Sequence, residues 1–96
     1  MAVTDILQDN REEILRLAAK YGASNVRVFG SVARGDAGPD SDMDFLIDLE
    51  PGRTLFDLGG LLYELQELLG TPVDVVPEQG LREHVRDAVV EDAVAL

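Results

Sequence analysis

Ninety-six residues, 46% of them apolar, are enough for one domain with a modest core. The lack of cysteine excludes a disulfide framework and any thiolate metal site. With 19 acidic residues against 8 basic ones, a net charge of −11 and Lys20 as the single lysine, the chain has no basic stripe for binding nucleic acid directly. No apolar run approaches the roughly 20 residues that a membrane span needs. The opening MAVTDILQDN lacks the basic and apolar regions of a signal peptide. The expectation is a soluble cytoplasmic protein with residues 1–96 as a single domain. Solubility, a basic partner and a salty cytoplasm each account for the acidity.

Thr4 reads as an N-cap, with Asp5 in the first turn where the helix dipole favours an anion. Ile6, Leu7, Ile14, Leu17, Ala18 and Tyr21 then recur at helical spacing, and Gly22 stops the helix. Asn25 to Phe29 reads as a short strand, with Val26 and Val28 alternating with Arg27. Phe45 to Leu49 is a second strand, ended by Glu50-Pro51-Gly52. Thr54 and Asp57 form a capping-box pair before a leucine-rich helix, Leu55 to Leu69. Gly59 and Gly60 interrupt that helix at a cost of about 1 kcal/mol each against alanine, which suggests a close contact with another backbone. Gly70 closes it. Val73 to Val76 is a third strand, and Leu81 to about Val94 a last helix with Leu81, Val85, Ala88 and Val89 on one face. The order is αβ(α)βαβα, an α/β layer fold with a small mixed three-stranded sheet flanked by helices. The second and third strands are expected to be parallel and the first two antiparallel.

The chemistry concentrates between Gly30 and Asp48, GSVARGDAGPDSDMDFLID. Gly30 allows a phosphate close to the backbone. Ser31 offers a hydroxyl, a short helix from Val32 would aim free N–H groups at phosphates, and Arg34 could hold a phosphate oxygen. After Ser41, itself a candidate nucleotide contact, Asp42 and Asp44 stand two apart on a strand, roughly 6.5 Å along the chain and on one face. Asp74 interrupts an apolar strand that topology brings to the same sheet end, where it is expected to be the most buried of the three. Three carboxylates repel one another unless a cation lies between them. Mg²⁺, expected as two ions in such a site, is the hard oxygen-seeking candidate, with phosphates completing its shell. Asp74 could also accept a proton from an attacking hydroxyl. Taken singly, these signals have plainer readings. Gly30-Ser31 is a turn, Asp42-x-Asp44 a solvated strand entry or a calcium loop, and Arg34 a partner for Asp36 or Asp40. His84 reads as an exposed helix residue, Asp48 as a polar neighbour, and Tyr21 and Tyr63 as packing aromatics.

Gly30-Ser31-x-x-Arg34-Gly35, then Ser41-Asp42-x-Asp44, then a lone Asp74 resembles the nucleotidyltransferase superfamily that includes DNA polymerase β. Nearly the whole chain is similar to the minimal nucleotidyltransferases of prokaryotes, antitoxins paired with HEPN-domain ribonuclease toxins. The resemblance implies the polymerase β-like fold, Mg²⁺, and transfer of AMP from ATP to a tyrosine of the toxin. It implies metal binding by Asp42 and Asp44, with Asp74 as the third carboxylate, and nucleotide contacts from Gly30 and Ser31. An acceptor domain is not expected beyond Leu96, and a partner protein is expected to present the acceptor. Two other functions fit the same residues: an antitoxin that acts by binding alone, and a transferase for a small hydroxyl compound.

Overall fold

The computed structural model describes residues 3–30, 33 and 42–96. The expected first helix is two: α1, Val3–Asp9, and α2, Arg11–Lys20. The break falls at Asn10, whose side-chain amide donates to the Ile6 carbonyl at 2.8 Å. That bond competes with the helix ladder, as Asn side chains commonly do. Ile14 and Ala18 then bury one face of α2. Tyr21 ends the helix, and Gly22 takes the left-handed turn (φ +77°).

Strand β1 runs Ala23–Phe29 and strand β2 Met43–Leu49, paired antiparallel. Their register slips between Ser24 and Arg27, where three steps on β1 face two on β2, from Asp48 to Leu46. Asn25, at φ +49°, absorbs the extra residue, a conformation asparagine tolerates better than most. Ala23 thereby reaches the core together with Val26 and Val28. Helix α3, Leu55–Leu69, carries the expected capping box: the Thr54 hydroxyl accepts from the Phe56 amide at 3.2 Å, and Asp57 accepts from the Thr54 amide at 3.0 Å. That backbone bond, more than Arg53 beside it, holds the Asp57 carboxyl below its ordinary pKa. Gly70, at φ +67°, is the left-handed C-cap. Strand β3, Val73–Pro77, lies parallel to β2, and a single 3-10 turn, Glu78–Gly80, follows.

The last helix, α4, spans only Glu83–Asp92 and buries none of its residues. Of the expected stripe, Leu81 lies before the helix and Val89 is half-buried, while Val85 and Ala88 are exposed. Val94–Ala95 leave the helix as strand β4 and pair antiparallel with β1. The outer edge of β1 would otherwise leave its N–H and C=O groups unpaired. Leu96 N donates to Val26 O at 3.1 Å, and Arg11 Nε donates to Leu96 O at 2.9 Å. Among the described residues the sheet thus has four strands rather than three, in the order β3-β2-β1-β4.

The core lies between one sheet face and helices α2 and α3. Met43, Phe45 and Ile47 of β2 meet Val73 and Val75 of β3 and Leu61, Leu65 and Leu69 of α3. Phe45 is fully buried, and a side chain of that size contributes roughly 1.5–3 kcal/mol. Strand alternation turns Asp44, Leu46 and Asp48 to the opposite face. No helix among the described residues is long and apolar enough to cross a membrane.

Candidate active site

Topology places the carboxylates. Parallel pairing makes Asp44 and Asp74 register partners on neighbouring strands, about 4.8 Å apart in backbone spacing. The start of β2 is pinned by Met43 N donating to Pro72 O at 3.1 Å. Asp42 stands one residue before β2 and is exposed. The antiparallel pairing brings the end of β1 to the same place, with Phe29 opposite Asp44.

Gly30 follows at once, at φ +75°, a region that costs any residue with a Cβ. A second constraint acts on it. A Cβ at Gly30 would stand 2.5 Å from Asp44 Oδ2. The turn therefore favours glycine, and any Cβ there would shift the Asp44 carboxylate. Ser31, Arg34 and Ser41, the other expected nucleotide contacts, lie outside the described residues, as do Val32, Asp36 and Asp40.

Asp74 departs from expectation. It is exposed, not the most buried of the three. Its strand is the outer one of the described sheet, so among the described residues no further strand shelters it. Among the described residues no three carboxylates or histidines converge as a closed metal cage requires. A Mg²⁺ ion does not require one. It typically takes one or two carboxylates and completes its shell with water and phosphate. Asp44 and Asp74 in register, with Asp42 two residues before Asp44, are a hard-oxygen donor set that fits this pattern.

Arg27 is the functional-face residue that the sequence reading left without a role. It is 9% exposed. Its guanidinium donates to Glu78 Oε1 at 2.6 Å and to Asp48 Oδ1 at 3.0 Å, and its Nε donates to Asn25 O at 2.9 Å. Asp48 also accepts from Asn25 Nδ2 at 3.1 Å, so it is a structural anchor. Arg27 joins β1, β2 and the turn after β3 on the face that carries Asp44 and Asp74. A cation between two core valines was the available signal. His84 is exposed, as expected. Tyr21 packs, but Tyr63 is 61% exposed. An open cavity of about 310 Å³ near β4, lined by Leu7, Arg11, Val28 and Leu96 among others, contains none of these carboxylates.

Residues 11–96 match the nucleotidyltransferase domain family. This chain belongs to that family. It is a nucleotidyltransferase, with the mixed sheet and flanking helices of minimal members. A solved structure described as a minimal nucleotidyltransferase is 49% identical, with a TM-score of 0.88 over 96% of this chain and 94% of that one. The protein adenylyltransferase MntA of Thermococcus cleftensis is 34% identical over 92 residues, covering 96% of this chain and 90% of the relative. A toxin-antitoxin structure with AMP-PNP shares the fold, with a TM-score of 0.78 at 20% identity over 90% of this chain and 71% of that one.

Proposed function

We propose that this nucleotidyltransferase transfers AMP from ATP to a tyrosine hydroxyl of a HEPN-type ribonuclease toxin in the cytoplasm, and so acts as its antitoxin. The observation that carries the reading is the pairing of Asp44 with Asp74 beside Gly30, whose missing Cβ leaves room for the Asp44 carboxylate. The adenylyltransferase name of the Thermococcus relative supports the reaction, and the toxin-antitoxin neighbour supports the kind of partner. One core that runs from Leu7 to Val75, with Leu96 packed on it, supports a single domain.

In this reading Gly30, Ser31, Arg34 and Ser41 hold the nucleotide phosphates. Asp42, Asp44 and Asp74 hold Mg²⁺, which when bound neutralises charge on the phosphates. The tyrosine oxygen attacks the α-phosphorus, the bond from that phosphorus to the bridging oxygen of pyrophosphate breaks, and pyrophosphate leaves. The tyrosine proton passes to the Asp74 carboxylate, whose exposure on the edge strand leaves it accessible to an incoming hydroxyl. A net charge of −11 opposes direct binding to nucleic acid and suits a basic toxin.

Labelled ATP, Mg²⁺ and the toxin encoded beside this protein should yield label on a toxin tyrosine. Asp44→Asn should lower transfer by at least about a hundredfold, a loss of about 2.7 kcal/mol in transition-state stabilisation. Toxin that is bound and silenced without label would instead make the chain an antitoxin by occlusion. Label on a small hydroxyl compound without toxin would make it a small-molecule transferase.

A further inference from the structure

Helix α3 is apolar on both sides. Leu61, Leu65 and Leu69 face the core. On the opposite side Phe56 is 92% and Tyr63 61% exposed. These two are seven residues apart, so their rings share one stripe and stand roughly 10 Å apart along the axis.

Two glycines lie between them, and the structure separates their roles. A Cβ on Gly60 would meet the Tyr21 ring at 2.6 Å, which explains that glycine from inside the molecule. Gly59 is exposed, keeps a negative φ, and a Cβ there would meet nothing within 4 Å. Glycine weakens a helix interior, and among the described residues no intramolecular contact calls for it here. A bare backbone between two exposed aromatic rings is a notch that a side chain from another molecule can enter.

Charge selects the occupant. Helix α3 carries Asp57, Glu64 and Glu67 and no basic residue. The cations beside it are committed: Lys20 pairs with Glu64, and Arg53 with Glu50 and Asp57. Glu67, one turn beyond Tyr63 on the same stripe, has no ion pair among the described residues and is exposed. A second copy of this chain would set acidic helix against acidic helix, between molecules of net charge −11.

We propose that Phe56, Gly59, Tyr63 and Glu67 form a docking surface for a basic partner protein, which places an apolar side chain between the rings and a Lys or Arg against Glu67. The partner is the toxin of the proposed function, and the inference rests on that reading. Helix α3 lies on the other side of the sheet from Asp44 and Asp74. The stripe therefore holds the partner without presenting the acceptor, and docking is separable from transfer.

Calorimetric titration of the chain against the toxin, together with steady-state transfer, tests this. Gly59→Leu and Phe56→Ser should each weaken toxin binding at least tenfold and raise KM for toxin, with kcat at saturation within about twofold of wild type. Glu67→Lys should weaken binding and flatten its salt dependence. Gly59→Leu should not lower the Tm of the free chain, so lost binding cannot be lost folding. Unchanged binding by all three variants overturns the docking surface and leaves the transferase reading standing. A wild-type chain that neither binds nor labels the toxin overturns both. A wild-type dimer that Gly59→Leu converts to monomer, with toxin binding intact, makes the stripe a self-interface and also overturns the proposal.

Discussion

At Gly30 two demands coincide. The chain must turn at φ +75° on leaving β1, and it must do so against the Asp44 carboxylate. Alanine there meets a conformational cost of about 1–2 kcal/mol. Its Cβ also displaces Asp44 Oδ2, which is the freer end of a side chain and gives way more easily than backbone. Gly30→Ala is therefore expected to lose stability modestly, visible as a lower urea midpoint, and to lose nucleotidyl transfer far out of proportion. Arg27 is the reverse case, a residue of the same face whose role is holding the structure. Arg27→Met removes the cation and leaves Asp48 and Glu78 behind. Breaking a fully buried pair costs about 3–5 kcal/mol. Here the two carboxylates are 37% and 30% exposed and can regain water, so the expected loss is nearer 2 kcal/mol by urea unfolding.

Among the elements, α3 makes the sharpest contrast between neighbouring positions. Gly60→Ala pushes a Cβ into the Tyr21 ring, whose hydroxyl is kept from ionising until higher pH than usual by the Glu64 carboxylate beside it. Overpacking of this kind costs about 1–3 kcal/mol. Gly59→Ala meets open space and gains helix propensity, up to about 1 kcal/mol. Thermal unfolding of the two single variants should shift Tm in opposite directions. Equal shifts would mean that the ring of Tyr21 moves aside freely. Strand β4 carries a second lesson about elements. Two residues with little burial of their own leave the helix register because the edge of β1 offers them backbone hydrogen bonds.

For the whole molecule the governing quantity is a net charge of −11 on a body with a radius of gyration of 12.5 Å. The screening length is about 30 Å at 0.01 M salt and about 10 Å at 0.1 M. At low salt every carboxylate therefore feels every other, and the compact state carries the repulsion. Tm should rise by several degrees between 0.01 and 0.3 M NaCl, since about 1 kcal/mol moves a domain of this size by about 4–8 °C. A flat or falling Tm would show that local ion pairs such as Arg53 with Glu50 and Asp57 outweigh the global field. The same charge makes the −11 surface a poor match for itself and a good one for a basic partner.

Local chemistry was legible in the residues. The Thr54–Asp57 capping box, the left-handed Gly22, the helix stop at Gly70 and the parallel and antiparallel pairings rest on nearest neighbours and loop lengths, and the structure bears them out. The family was legible as a resemblance, carried jointly by Gly30-Ser31-x-x-Arg34-Gly35, Ser41-Asp42-x-Asp44 and Asp74, and the match over residues 11–96 bears it out. What sequence could not rank was burial. Asp74 and Arg27 are each a charge between core valines, and the pattern treats them alike. Only the strand order decides between them: β3 is an outer strand and leaves Asp74 in water, whereas β1 lies inside the sheet and closes Arg27 between Asp48 and Glu78. The cause is that burial depends on contacts between residues distant along the chain, such as Arg27 with Glu78. Local pattern carries no information about which of two similar strands has a neighbour on each side.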